Sequence, residues 1–149
     1  MQAHIENIPA YRIVYMSRIG PYGAQNYKLM QDMKQWIQNH GLWNENGVIY
    51  AIAQDNAVLT PPEKCRYDVC FITDAAFDDN TVSHGALPAG KNLVYEIIHI
   101  ADEVQRFYCE LGNSLEMNGE QMDERRPILE RYQFARVEKG YCEFCVPIL

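Results

Sequence analysis

The stretch "LTPPEKCRYDVCFIT", residues 59–73, decides the fold. Pro61 and Pro62 cannot donate to a sheet ladder, so they close a loop. Beyond the charged corner Glu63–Lys64 the chain alternates. Tyr67, Val69 and Phe71 fall on one side and Asp68 and Cys70 on the other, the two-residue period of a strand. The same turn and strand return at the end of the chain as "VEKGYCEFCVPIL", residues 137–149. Glu63 and Lys64 recur as Glu138 and Lys139, 75 positions on, and at that spacing Asp68 meets Glu143, Val69 meets Phe144 and Cys70 meets Cys145. A repeated stretch of this size means a repeated structural unit.

Working outward, the whole unit is written twice. "YRIVYMSRI" (11–19) is a β-branched and aromatic strand, followed by the break "GPYGA". From Gln25 to His40 the period changes, and Tyr27, Met30, Met33 and Ile37, widened by Leu29 and Trp36, form the stripe of an amphipathic helix. Gly41 is placed to cap its C-terminal end. "GVIYAIA" (47–53) and "RYDVCFIT" (66–73) are strands, and "DAAFDDN" reads as a turn. In the second half "NLVYEIIHI" (92–100) is a strand. Val104, Phe107, Tyr108, Leu111 and Leu115 have helical spacing. "ILERYQFARV" and "GYCEFCVPI" close the chain as a strand hairpin. The echo "IVY" (13–15) and "LVY" (93–95) keeps the halves in step. The expected fold is α+β, one domain over residues 1–149 with halves at about 8–75 and 90–149. Each half is a β-α-β-β unit. The two share one antiparallel sheet about a pseudo-twofold axis, with both helices on one face and a groove between them.

Composition narrows the function. The chain has 149 residues, of which 48% are hydrophobic, enough for a real core. At this size folding hides roughly 70% of the unfolded surface. The net charge of −7 disfavours direct nucleic-acid binding, which needs basic side chains to displace counterions. No run approaches the roughly 20 apolar residues of a membrane span, and "MQAHIENIPAYRIVYM" lacks the pattern of a secretory leader. A cytoplasmic protein is expected. The five cysteines are odd in number, and Cys142 and Cys145 on a strand point to opposite faces. Buried reduced thiols are expected rather than a metal or redox pair. No Walker loop, dinucleotide fingerprint or HExxH is present, so no cofactor is expected.

Pockets favour seams between units. Tyr15, Tyr27, Tyr50, Tyr95, Tyr108 and Tyr132 lie on predicted strands or helices, and aromatic faces attract cations. Glu130 shares a strand face with Ile128 and Tyr132, and a carboxylate in such company is costly unless paired. Arg126 or Arg131 could pair it, or a ligand cation could. His99 could serve as a base but has no visible nucleophile beside it. His40 and His84 read as helix-end and loop residues, and "DERR" (123–126) as a solvated connection.

These residues resemble the GyrI-like small-molecule-binding family, also the effector-binding domain of AraC- and MerR-type regulators. The resemblance rests on "TPPEKCRYDVCFIT" after "GVIYAIAQDN", on "RIVYMSRIGPYG" with "MKQWIQNHGL", and on "RPILERYQF" against the family's P-x-x-E-x-Y strand. It implies a lipophilic, often cationic aromatic ligand between the two helices, with Glu130 as the central acid. Trp36, Tyr50 (at the position of Glu130 in the first unit), Tyr132 and Tyr108 would be the aromatic contacts. It also implies two alternatives: a hydrolase of cyclopropane-bearing DNA-alkylating compounds using Glu130, and a protein partner such as DNA gyrase. The sequence departs from the family where "DDP" becomes "QDN" and where "YQFARV" follows the acid.

Overall fold

The computed structural model describes residues 1–149. Eight strands form one antiparallel sheet: β1 (Ala3–Ile8), β2 (Tyr11–Ile19), β3 (Val48–Ala53), β4 (Arg66–Ile72), β5 (Ser83–Leu87), β6 (Gly90–Ile98), β7 (Leu129–Gln133) and β8 (Tyr141–Pro147). Their order is β1-β6-β8-β7-β3-β4-β2-β5. The helices are α1 (Ala24–Asn39), α2 (Ala101–Met117) and the single turn α3 (Phe134–Val137). The β2-α1-β3-β4 and β6-α2-β7-β8 units meet where β3 pairs with β7, which places the pseudo-twofold axis at the centre of the sheet.

The edge strands β1 and β5 are not expected from the repeat. Each leads into one unit but pairs with the other: β1 runs into β2 yet pairs with β6, and β5 runs into β6 yet pairs with β2. Only residues 9–10 join β1 to β2, although these strands lie toward opposite ends of the order. A link that short requires the sheet to curl until its ends approach. The concave face so formed is filled by Ile8, Ile13, Tyr50, Ile52, Cys70, Leu87, Val94, Leu129 and Cys145. His84 therefore sits on β5 and not in a loop.

The other face carries the helices. α1 packs over β2 and β4, and α2 over β6. Met30, Met33, Trp36 and Ile37 bury the expected stripe of α1, whereas Tyr27 is left exposed. Gly41 takes a positive φ of 66° just past the helix, and its N–H and that of Leu42 donate to Gln38 and Ile37. That is the glycine end-cap the sequence predicts. Phe107, Leu111 and Leu115 bury the matching stripe of α2. No helix is long and apolar enough to cross a membrane.

Two connections differ from expectation. The strand expected over 128–137 stops at Gln133, because Phe134 turns in to cover Gly47 and stacks on Trp43 at 4.2 Å. A Cβ on Gly47 would collide with the Phe134 ring, so only glycine admits that approach. The "DERR" segment is solvated only in part: Glu124 and Arg125 are exposed, but Asp123 and Arg126 form a clasp. Asp123 is 6% exposed and pairs with Arg125 and Arg126, and Arg126 donates on to the carbonyls of Lys91 and Ile148.

Candidate functional site

Between α1 and α2 the sheet floor is β4-β3-β7-β8. Strand alternation turns Tyr67, Ala51, Ala53, Glu130, Tyr132, Cys142 and Phe144 toward the helices. Glu130 sits at the middle, opposite Ala51 and next to Phe144 in the ladder. Its Oε2 accepts from Tyr132 Oη at 2.8 Å and from Tyr67 Oη at 3.2 Å. Neither arginine allowed by the sequence reaches it. Arg126 is committed to Asp123, and Arg131, next along β7, points to the other face. There Arg131 bridges Glu6 and Glu143 through bonds of 2.8–3.0 Å. Glu130 has no cationic side chain within salt-bridge distance.

The electrostatics follow from that geometry. Burial raises the pKa of Glu130, and the hydrogen bonds from Tyr132 and Tyr67 offset part of the rise. Burial, and then the Glu130 carboxylate, raise the pKa values of Tyr67, Tyr108 and Tyr132, and push the Cys142 thiol up to about 12. Tyr108 stands at the mouth, 45% exposed, with its ring 5.6 Å from Phe144. Tyr22 meets Tyr67 edge-on at 6.0 Å. The seam is thus a carboxylate walled by phenols and short of a positive partner. In a low-dielectric site that is an attractive position for an organic cation.

The structure gathers three of the sequence candidates, Glu130, Tyr132 and Tyr108. It leaves two elsewhere. Trp36 is buried beside an open cleft of about 730 Å³ bounded by α1, β2 and residues 79–83. Its indole donates to Asp79 at 2.7 Å and stacks on His40 at 4.1 Å. Tyr50 faces the concave side with Tyr11 and Arg131, where burial lifts its pKa to about 12. Register explains the misplacement. Val69 answers Phe144 in the repeat, Val69 pairs with Ala51 and Phe144 with Glu130, so Ala51 and not Tyr50 is the counterpart of Glu130. A slip of one residue turns a strand side chain to the other face. Tyr67 was missed as a site residue although its face was legible, because its contact with Glu130 depends on β3 lying between β4 and β7. Cys142 joins the helix-side core and Cys145 the concave one, on opposite faces as the strand spacing requires, whereas Cys109 is exposed and departs from the expected burial.

A duplicated β-α-β-β sheet with one half-buried acid in an aromatic seam defines a class of small-molecule-binding domain. The chain belongs to the GyrI-like small-molecule-binding domain family, whose model matches residues 1–149. It is 37% identical over 150 residues to the SPbeta prophage-derived protein YosT of Bacillus subtilis (strain 168), named as a candidate transcriptional regulator, with 99% of each chain covered. Its fold is similar to the EcmrR C-terminal domain (TM-score 0.77, 15% identity, 99% of this chain and 97% of that one). The chain spans 57% of the longer EcmrR chain solved with DNA. It also resembles SAV2435 bound to tetraphenylphosphonium (TM-score 0.63, 16% identity, 100% and 94% covered).

Proposed function

We propose that the chain takes up a lipophilic, cationic aromatic compound between α1 and α2 and acts in sensing or sequestration of such compounds. Glu130 is the counter-charge and Tyr67, Tyr108 and Tyr132 are the walls. The observation that carries this reading is the half-buried Glu130 carboxylate, held by two phenols with no cation of its own. A structural acid among apolar and aromatic groups would be expected to have a guanidinium partner, as the buried Glu143 has in Arg131. SAV2435, which shares the fold, was solved with a compound of the proposed chemistry.

Thermal melts with tetraphenylphosphonium and with neutral triphenylphosphine oxide test the reading. A ligand at about 100 times its Kd adds roughly 2.7 kcal/mol, which raises the Tm of a chain this size by about 5–10 °C. The cation is expected to give that rise and the neutral compound little. No shift with the cation, or equal shifts with both, overturns the assignment.

A further inference from the structure

The Tyr132 hydroxyl lies between two acceptors. Its oxygen is 2.8 Å from Glu130 Oε2 and 3.4 Å from His99 Nε2. One hydroxyl carries one proton, so it cannot donate to both at once. Two arrangements satisfy all three groups. With Glu130 ionised, Tyr132 donates to the carboxylate and His99 presents Nε2–H to the phenol oxygen. With Glu130 protonated, the carboxyl donates to the phenol oxygen, Tyr132 donates to a bare Nε2, and the imidazole proton sits on Nδ1.

The surroundings make this a path. The titratable groups facing Glu130 are Tyr67 from β4, Tyr132 from β7, Cys142 from β8 and Tyr108 from α2, phenols and a thiol whose pKa values are all raised further above ordinary pH, so all four are neutral. Hydrogen bonds lead from Glu130 to Tyr67, where they stop, and to Tyr132, where they continue to His99. His99 is an exposed residue between β6 and α2, with its ring edge-on to Tyr132 at 5.2 Å. Lys34 of α1 is the charged group facing it, and partial burial together with that lysine lowers the imidazole pKa. A neutral imidazole can accept a proton on one nitrogen and release one from the other.

We propose that His99 is the proton outlet of the Glu130 site. Entry of a cation drives the Glu130 proton onto the Tyr132 oxygen as the Tyr132 proton passes to His99 Nε2, and the imidazolium then loses its Nδ1 proton to water. One cation enters and one proton leaves, so the seam never carries a second uncompensated charge. Tyr132 ends with its O–H turned to the carboxylate, and His99 ends in the other tautomer. His99 is thus a relay residue that touches no ligand, and the inference rests on the cation-binding reading of the same site.

Imidazole 15N NMR of the free protein, titrated from about pH 5 to about pH 8, tests the switch without any ligand. In wild type the His99 nitrogens are expected to exchange protonation as Glu130 ionises, and in Glu130→Gln and Tyr132→Phe that coupled step is expected to vanish. Calorimetry with tetraphenylphosphonium in buffers of different ionisation enthalpy then counts protons. Release rising toward one per cation at acid pH is expected for wild type, and none for Glu130→Gln. A His99 signal blind to Glu130, or binding heat with no proton release at any pH, overturns the outlet. Absence of binding heat in wild type overturns the cation-binding reading instead, while the free-protein titration still judges the relay.

Discussion

Replacing Glu130 with Gln should move stability and cation affinity in opposite directions. The folded protein holds the Glu130 proton more tightly than the unfolded chain, whose carboxylate keeps the ordinary value of 4.5. The stability that this difference supplies is fully present below that value and is lost as pH rises through the higher folded pKa. Each unit between the two values corresponds to about 1.4 kcal/mol, or roughly 3–6 °C in Tm for a chain of this length. The amide has no proton to lose and nearly the same shape, and its oxygen can still accept from Tyr67 and Tyr132. Glu130→Gln is therefore expected to melt higher than wild type at pH 8, with the gap closing toward pH 4. Its affinity for tetraphenylphosphonium should fall by about 1–3 kcal/mol, the scale of a lost charge-assisted contact. That is roughly 5- to 150-fold in Kd. Melts across pH and calorimetry of both proteins read the two effects. A Tm gap that stays flat with pH would mean that Glu130 is not held protonated by burial, and unchanged cation affinity would remove it from the site.

Ala53 pairs with Tyr67 and turns its small side chain into the same seam, so Ala53→Phe should narrow the pocket without touching its charge. Loss of tetraphenylphosphonium binding with tetramethylammonium binding retained is expected by calorimetry, and equal losses of both would argue against a steric effect. Arg131→Met should strand the buried carboxylate of Glu143 and release Glu6 on β1. A cost of about 3–5 kcal/mol is expected for breaking a buried pair, and a Tm within roughly 2 °C of wild type would refute the cluster's structural role.

The repeat was legible because it rests on local signals. Paired prolines, a glycine cap and the change of period from two to 3.6 are written into neighbouring residues. The strands β1 and β5 were not legible, since "HIENI" and "SHGAL" carry little apolar alternation and owe their pairing to the opposite unit. Glu130 could be read because a carboxylate inside an apolar run is anomalous by itself. Its partners could not, because Tyr67 lies 63 residues away and reaches it across β3. Arg131 shows the same limit from the other side. Next to Glu130 in sequence, it offers itself as a salt-bridge partner, yet the pleat sends it to the opposite face, where Glu6 and Glu143 hold it.

The departure from symmetry gives the seam its chemistry. Glu130 and its counterpart Ala51 lie side by side at the pseudo-twofold axis. By the same register Ala53 answers Tyr132, and Cys142 answers Tyr67. Were both positions acids, two carboxylates would face each other across one ladder rung, and like charges so close cannot both ionise. With alanine on one side, the floor can carry at most one negative charge and the space beside it is apolar. A seam of that kind matches a cation whose one charge is wrapped in aromatic surface better than a polyamine or a metal ion, which would leave charge or hydration unmet on the alanine side. The duplication supplies the two helices and the axis between them, and on the proposed reading the alanine opposite Glu130 is the feature that would favour a lipophilic monocation at that axis.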